Sequence, residues 1–119
     1  MKIKIDASLF EDEKLVHKSE CNGIFLDDII TYSDEDTKVK IFMENSNIKI
    51  IRSSSDYELV IDFNGNSSYR LKKENKSIPL TVTDTNLKLK KNELYAKYKI
   101  NTKEEESVFV LKYEVIKWT

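Results

Sequence analysis

His17 and Cys21 are the only histidine and the only cysteine in the chain, and their spacing limits what they can do. Four residues apart in a run of extended character, they fall on one strand face about 13 Å apart, at roughly 3.3 Å per residue. A thiolate–imidazole pair needs hydrogen-bond contact, so no Cys–His dyad is expected. Cys21 reads as a small buried hydrophobe and His17 as a hydrogen-bonded, half-exposed residue. One His and one Cys also cannot furnish a zinc site, which takes four protein ligands or three plus water. An EF-hand loop counted from Asp34 would place Val39 where glycine is required and Asn45 where the bidentate glutamate belongs. The cluster Ser33-Asp34-Glu35-Asp36 therefore reads as a solvated turn. Two isolated glycines, Gly23 and Gly65, make no phosphate-cradling loop.

A cationic, tyrosine-rich group remains. Taking Ile48 and Ile50 as inward-facing turns Arg52 inward too. The same parity in other segments sends Tyr57, Tyr69, Tyr98 and Tyr113 inward, with Asp84 on the face of Leu80 and Val82. His17 and Ser19 share the face of Leu15 and Phe25. An interior arginine needs acceptors, and tyrosines around one cation suit a small anionic or aromatic ligand. The candidate ligand-binding residues are thus Arg52, Tyr57, Tyr69, Tyr98, Tyr113 and His17. The plainer reading is a filled barrel whose tyrosines are core, with Arg52 paired to Asp84 or reaching solvent at the rim. An eight-stranded barrel has room for its own side chains or one small ligand.

The elements that would position these residues follow from a period of two. Apolar and polar residues alternate in Ile3-Lys4-Ile5, in Val39-Lys40-Ile41, from Tyr57 to Phe63, from Leu94 to Ile100 and from Phe109 to Val115. Such alternation means strands with one buried face. Ten strands are expected: 2–10, 14–26, one opening at Ile29-Ile30-Thr31 and ending before Ser33, 38–44, 48–53, 56–63, 67–73, 77–90, 93–100 and 107–118. Asn64-Gly65 is the strongest hairpin dipeptide. Gly23, inside an extended run, suggests a bend or bulge. The apolar parity of 77–90 changes across Asp84-Thr85-Asn86, so one extra residue there forms a β-bulge. Leu9-Phe10 and Leu15-Val16 flank Glu11–Lys14 as one helical turn would require, but a simple hairpin is the favoured reading. Short connections imply an antiparallel meander, since parallel crossovers need a dozen or more residues. The expected core includes Ile41, Ile50, Leu59, Ile61, Leu80, Val82, Leu94, Phe109, Leu111 and Val115.

Composition narrows the class further. A chain of 119 residues, 39% hydrophobic and 34% charged, suits one globular domain spanning 1–119. Twenty basic against 21 acidic residues leave a net charge of −1, with no strong pull toward nucleic acid or membrane lipid. The Lys88–Lys91 run, with Lys97, Lys99 and Tyr95, would form a basic ridge of the kind single strands use; lysines on an outer face are more simply solvated and discourage edge pairing. The lone cysteine, the charged N-terminal stretch and the lack of a long apolar run point to a cytoplasmic location, without membrane contact. Phe42, Ile51, Val60, Tyr95, Val108, Val110, Ile116 and Trp118 have the wrong parity for the core. The last strand, apolar on both faces, therefore suggests a cover: a homodimer partner or another segment of the chain.

The succession KIKID, NGIFL, ITYSDED, VKIFMENSNIKIIRS, YELVIDFNGNSSYRL, IPLTVTDTNLKLK, ELYAKYKI and VFVLKYEVI resembles the YwiB-like family, small bacterial proteins of unknown function with a lipocalin-like (calycin) β-barrel. The resemblance spans nearly the whole chain and is carried by pattern. Its most specific matches are Arg52, Phe63, Tyr69, Thr83 or Thr85, and Tyr98. The chain departs from the family in having no glycine at Glu74-Asn75-Lys76-Ser77. It also lacks the Gly-x-Trp of true lipocalins, its only tryptophan being Trp118. The resemblance implies a fold and no transferable activity.

The reading is an all-β, antiparallel lipocalin-like barrel of about eight to ten strands with meander topology. Its function is expected to be non-enzymatic, binding a small ligand or a protein partner without a cofactor. The alternatives are an enzyme at the barrel mouth, with Arg52 as electrophile and His17 as base, and nucleic-acid binding through the Lys88–Lys91 ridge.

Overall fold

A computed structural model describes residues 1–101 and 105–116, apart from the side chain of Ser46. Eleven antiparallel strands form a single sheet: β1 (Lys2–Glu11), β2 (Lys14–Leu26), β3 (Ile29–Asp34), β4 (Thr37–Phe42), β5 (Lys49–Ser53), β6 (Tyr57–Asp62), β7 (Ser67–Leu71), β8 (Lys76–Leu80), β9 (Val82–Lys90), β10 (Glu93–Ile100) and β11 (Ser107–Val115). Their order is β8-β7-β6-β5-β4-β3-β2-β1-β11-β10-β9. Every pairing but one joins sequence neighbours; the exception, β1 with β11, runs from Ile3–Val115 to Glu11–Ser107. The two edge strands are also neighbours in the chain, separated only by Thr81. The sheet is thus a barrel, nearly closed, with a seam where one long extended segment leaves β7 and joins β10. Thr81 is held at that passage: its carbonyl accepts from the Asn101 N–H at 2.6 Å, and its own N–H donates to Asn101 Oδ1 at 2.8 Å. The expected strand 77–90 is this segment, divided at Thr81.

Local chemistry explains the turns. Asp12-Glu13 and Asp27-Asp28 each carry two consecutive positive φ angles, 48° and 67°, then 52° and 62°. That is the type I′ geometry of two-residue hairpins, adopted here without glycine. Asn64-Gly65 does not form such a turn, since neither residue has positive φ. The β6–β7 connection is instead an Asx turn, with the Asn64 N–H donating to Asp62 Oδ1 at 3.0 Å. Gly65 is there for room, because a Cβ would come within 2.8 Å of Asp62 Oδ2. The bulge expected in the long segment is present. Lys97 faces Asn86 and Lys99 faces Thr83, leaving two residues opposite Tyr98, and Asp84 takes φ 52°.

The bulge expected at Gly23 lies elsewhere in β2. The register slips where Leu9 faces His17 and Phe10 faces Leu15, so Val16 is the extra residue. Gly23 serves close approach: a Cβ there would lie 2.5 Å from Ile5 Cδ1 and 2.7 Å from the Thr31 carbonyl oxygen. Because Val16 interrupts the alternation, Leu15 turns out to solvent and does not share the inward face of His17 and Ser19. β3 also runs further than expected, through Asp34, since Ile30, Tyr32 and Asp34 continue one inward parity.

The core packs along the barrel axis. Ile3, Ile5, Ile30, Val39, Ile41, Ile50, Ile61, Leu94, Phe109 and Leu111 are essentially inaccessible. Leu59, Leu80 and Val82 are half-buried against them. Val115, expected inside, is 41% exposed because it lies at the last position of β11, beyond the packed layers. Among the outward apolar residues, Val108 and Val110 are half-buried, beside Phe10 and Tyr95 on the neighbouring strands. The expected contribution of Trp118 lies outside the described residues. Among the described residues no helix is long and apolar enough to cross a membrane.

Candidate functional site

One mouth of the barrel, formed at the β3–β4 and β5–β6 turns, gathers most of the polar chemistry. β5 carries Arg52 between Val39 of β4 and Leu59 of β6, with its side chain directed inward. Its guanidinium crosses the barrel to the far wall, where Cζ lies 5.2 Å from the ring centroid of the buried Phe109. Among the described residues no carboxylate, carbonyl or hydroxyl accepts from Arg52; the ring is its one close partner. Asp84, expected as its partner, is turned outward by the bulge and pairs with Lys99 at 3.6 Å.

Above the guanidinium lies a cavity of about 170 Å³ lined by His17, Ser19, Tyr32, Asp34, Glu35, Thr37, Val39, Arg52 and Tyr57. The slip at Val16 aims His17 across to β3, where Nε2 hydrogen-bonds Asp34 Oδ2. Ser19 Oγ donates to the same oxygen at 2.6 Å and lies 3.2 Å from His17 Nε2. Hydrogen bonds from Ser19 and then His17 hold the Asp34 carboxyl below its ordinary range. Tyr32, 4% exposed, is pushed up to about 12, chiefly by burial and against the opposing pull of Arg52.

Ser, His and Asp in contact invite comparison with a nucleophilic triad, but the connections differ. In a triad the carboxylate holds one imidazole nitrogen and the serine engages the other. Here both His17 and Ser19 converge on one carboxylate oxygen, and the histidine uses a single nitrogen for both neighbours. The serine proton is directed to a carboxylate of lowered basicity, not to the imidazole, and the cluster ties β2 to β3. Burial and then the Asp34 charge raise the Cys21 thiol above its ordinary value, which disfavours the thiolate. Among the described residues no three His, Cys, Asp or Glu side chains converge as a metal site.

The structure divides the tyrosines. Tyr57 lines the cavity and stacks on Tyr69, centroids 5.6 Å apart and planes 22° from parallel. Ser54 positions Tyr57, accepting its N–H at 3.3 Å and that of Asp56 at 3.2 Å. Tyr98 is buried deeper, edge-on to Phe63 at 5.4 Å, within the field of Arg52. Tyr113 sits apart, toward the other end of the barrel, against Phe25 at 5.5 Å. The inward parity of these tyrosines does not bring them to one place. Ser19 and Asp34, by contrast, line the cavity, so Asp34 is not part of a solvated turn. The parity of Ile30, Tyr32 and Asp34 carries the signal that places it inside.

The other charged surfaces are less selective. A groove of about 350 Å³ runs over β2, β1 and β11 among Lys4, Asp6, Glu20, Lys112 and Glu114. Its charges compensate across the ladder, Lys4 facing Glu114 and Asp6 facing Lys112. On the expected basic ridge, Lys97 pairs with Glu106 at 3.2 Å, Lys99 with Asp84, and Lys88 lies 5.5 Å from the Tyr95 ring centroid. That ridge is therefore partly neutralised.

Comparison with protein-family models, with curated proteins and with solved structures finds no match. The class is defined by the molecule itself: an antiparallel, nearly closed barrel of eleven strands whose mouth holds a cation, a braced carboxylate and an aromatic wall.

Proposed function

We propose that this protein is a non-enzymatic binding module that takes a small ligand in the cavity beneath the β3–β4 turn, with Arg52 as its charged anchor. One observation carries the reading. A guanidinium with five N–H donors projects into the barrel and lies against an aromatic face, with no acceptor for any of them among the described residues. Desolvating such a group is costly unless an acceptor completes it, and an anionic group entering the cavity would do so with charge-assisted, bidentate geometry. The stacked Tyr57–Tyr69 pair offers a preorganised wall. The brace among His17, Ser19 and Asp34 supports a positioning role more readily than catalysis.

The same proposal includes a lipocalin-like (calycin) barrel of the YwiB-like kind working in the cytoplasm. Support for it lies in the meander order, in the inward Arg52 and Tyr98, and in the lone, protonated cysteine. Native mass spectrometry of freshly purified protein tests the binding reading. A small-molecule adduct on the wild type that is lost in folded Arg52→Gln is expected. An adduct unaffected by that substitution, or none in either protein, overturns it.

A further inference from the structure

Resting on that reading, we infer that the mouth cavity is built for a small zwitterion, an amino acid or similar short amino-carboxylate, with its carboxylate on Arg52 and its ammonium facing Asp34 and Glu35. The argument begins with two opposite charges that share a cavity and do not meet. Arg52 lies on the Phe109 ring. Asp34 takes His17 and Ser19 through Oδ2. No ion pair joins Arg52 to Asp34, although both line the same space. Within such a cavity, the complementary ligand is a dipole that spans the gap with its ends reversed.

Charge sign excludes the simpler classes. A dianion such as phosphate would satisfy Arg52 but would sit beside Asp34 and Glu35, two carboxylates on the same lining. A lone cation would find those carboxylates but face an unneutralised guanidinium. Like charges brought together in one small cavity oppose binding, so selectivity follows from the arrangement. Only a ligand carrying both charges meets both walls.

Size and surface agree. Sites for drug-sized ligands run from roughly 300 to 1,000 Å³, whereas a dry cavity of about 150 Å³ holds a single benzene ring. At about 170 Å³ this cavity admits one short molecule. Tyr57 closes one side with a ring, against which a side chain or the ammonium itself can pack.

The test is an NMR titration of the full chain with each of the twenty common amino acids, and with propionate, propylamine and inorganic phosphate. The expected result is saturable binding of at least one amino acid, with shifts at Ser19, Arg52 and Tyr57. Its affinity should exceed that of propionate and propylamine by about tenfold or more. Arg52→Gln should abolish the binding. Glu35→Gln, at an exposed turn position where folding is not at stake, combined with Asp34→Asn should reduce the affinity for the amino acid while leaving propionate no weaker. Propionate or phosphate binding as tightly as any amino acid, dependent on Arg52, overturns the zwitterion and leaves the small-ligand reading standing. Binding of none of these probes, together with no adduct in native mass spectrometry, removes both.

Discussion

Replacing Gly23 by alanine should destabilise the barrel, and its size can be worked from the contacts. The new methyl would sit 2.5 Å from Ile5 Cδ1 and 2.7 Å from the Thr31 carbonyl oxygen, with Tyr32 Cβ at 3.2 Å. The tip of Ile5 can rotate away. The Thr31 carbonyl cannot, because Thr31 is paired with Ile24 in the β2–β3 ladder. Overpacking of this kind typically costs about 1–3 kcal/mol. Against it stands a gain of roughly 0.5–1 kcal/mol, since alanine loses less backbone freedom than glycine on folding. The net expectation is a loss of about 1–2 kcal/mol, which for a domain of this length lowers Tm by roughly 4–8 °C. Urea unfolding followed by fluorescence, with an unchanged slope, gives the number. Gly65→Ala is the internal control: its nearest obstacle is the free end of the Asp62 carboxylate, so it should cost less. A Gly23→Ala protein as stable as the wild type would refute the close approach and restore the reading of Gly23 as a simple bend.

The remaining predictions concern protons, turns and association. The lowered Asp34 pKa gives stability that is present above the unfolded carboxyl value, about 3.9, and is lost as pH falls through the lower folded value; Asp34→Asn should flatten that acid limb of the stability–pH curve. Tyr32 has the opposite sign. Raised to about 12 from 10.0, it contributes stability that is complete below about pH 10 and is lost as pH rises toward 12. At about 1.36 kcal/mol per unit that is on the order of 2–3 kcal/mol, and Tyr32→Phe should remove this alkaline phase. Glu13→Gly should stabilise by about 0.5–1 kcal/mol in thermal unfolding, since glycine relieves a left-handed residue costing about 1–2 kcal/mol and gives back part of that in chain entropy. A homodimer through the outer face of β11 predicts that Val110→Lys converts a sedimenting dimer to a folded monomer; wild type sedimenting as a monomer up to about millimolar concentration removes that interface.

The strands were legible because an antiparallel barrel imposes its period of two on the sequence, and a charged outer face keeps the alternation clean in β1, β4 and β10. The parity change at Asp84 was legible for the same reason, since an added residue leaves its mark on every later side chain. Four features were not legible. Aspartate and glutamate in left-handed turns carry no strong local signature, whereas Asn64-Gly65 carries a strong one that this loop does not use. Val16 bulges although β-branched valine looks like ordinary strand, so the side assigned to Leu15 was lost. Parity names a face but not a depth: Tyr57, Tyr98 and Tyr113 all point inward, yet they occupy different levels of the barrel. Arg52 followed from parity alone. The brace that shares its cavity did not, because the acidic neighbours of Asp34 obscure the parity it shares with Ile30 and Tyr32.

The seam at Thr81 bears on how the chain finds its fold. All the strand pairings are between sequence neighbours except β1 with β11, which brings together residues as distant as Ile3 and Val115. Local hairpins form quickly, whereas a contact across most of the chain carries the loop-closure entropy of everything between. The ladder between β1 and β11 is thus the last to zip. Were those strands joined by a linker and the backbone opened at Thr81, the sheet would keep its order and every ladder would become local. The seam is where a circularly permuted chain would gain folding speed without losing a strand pair.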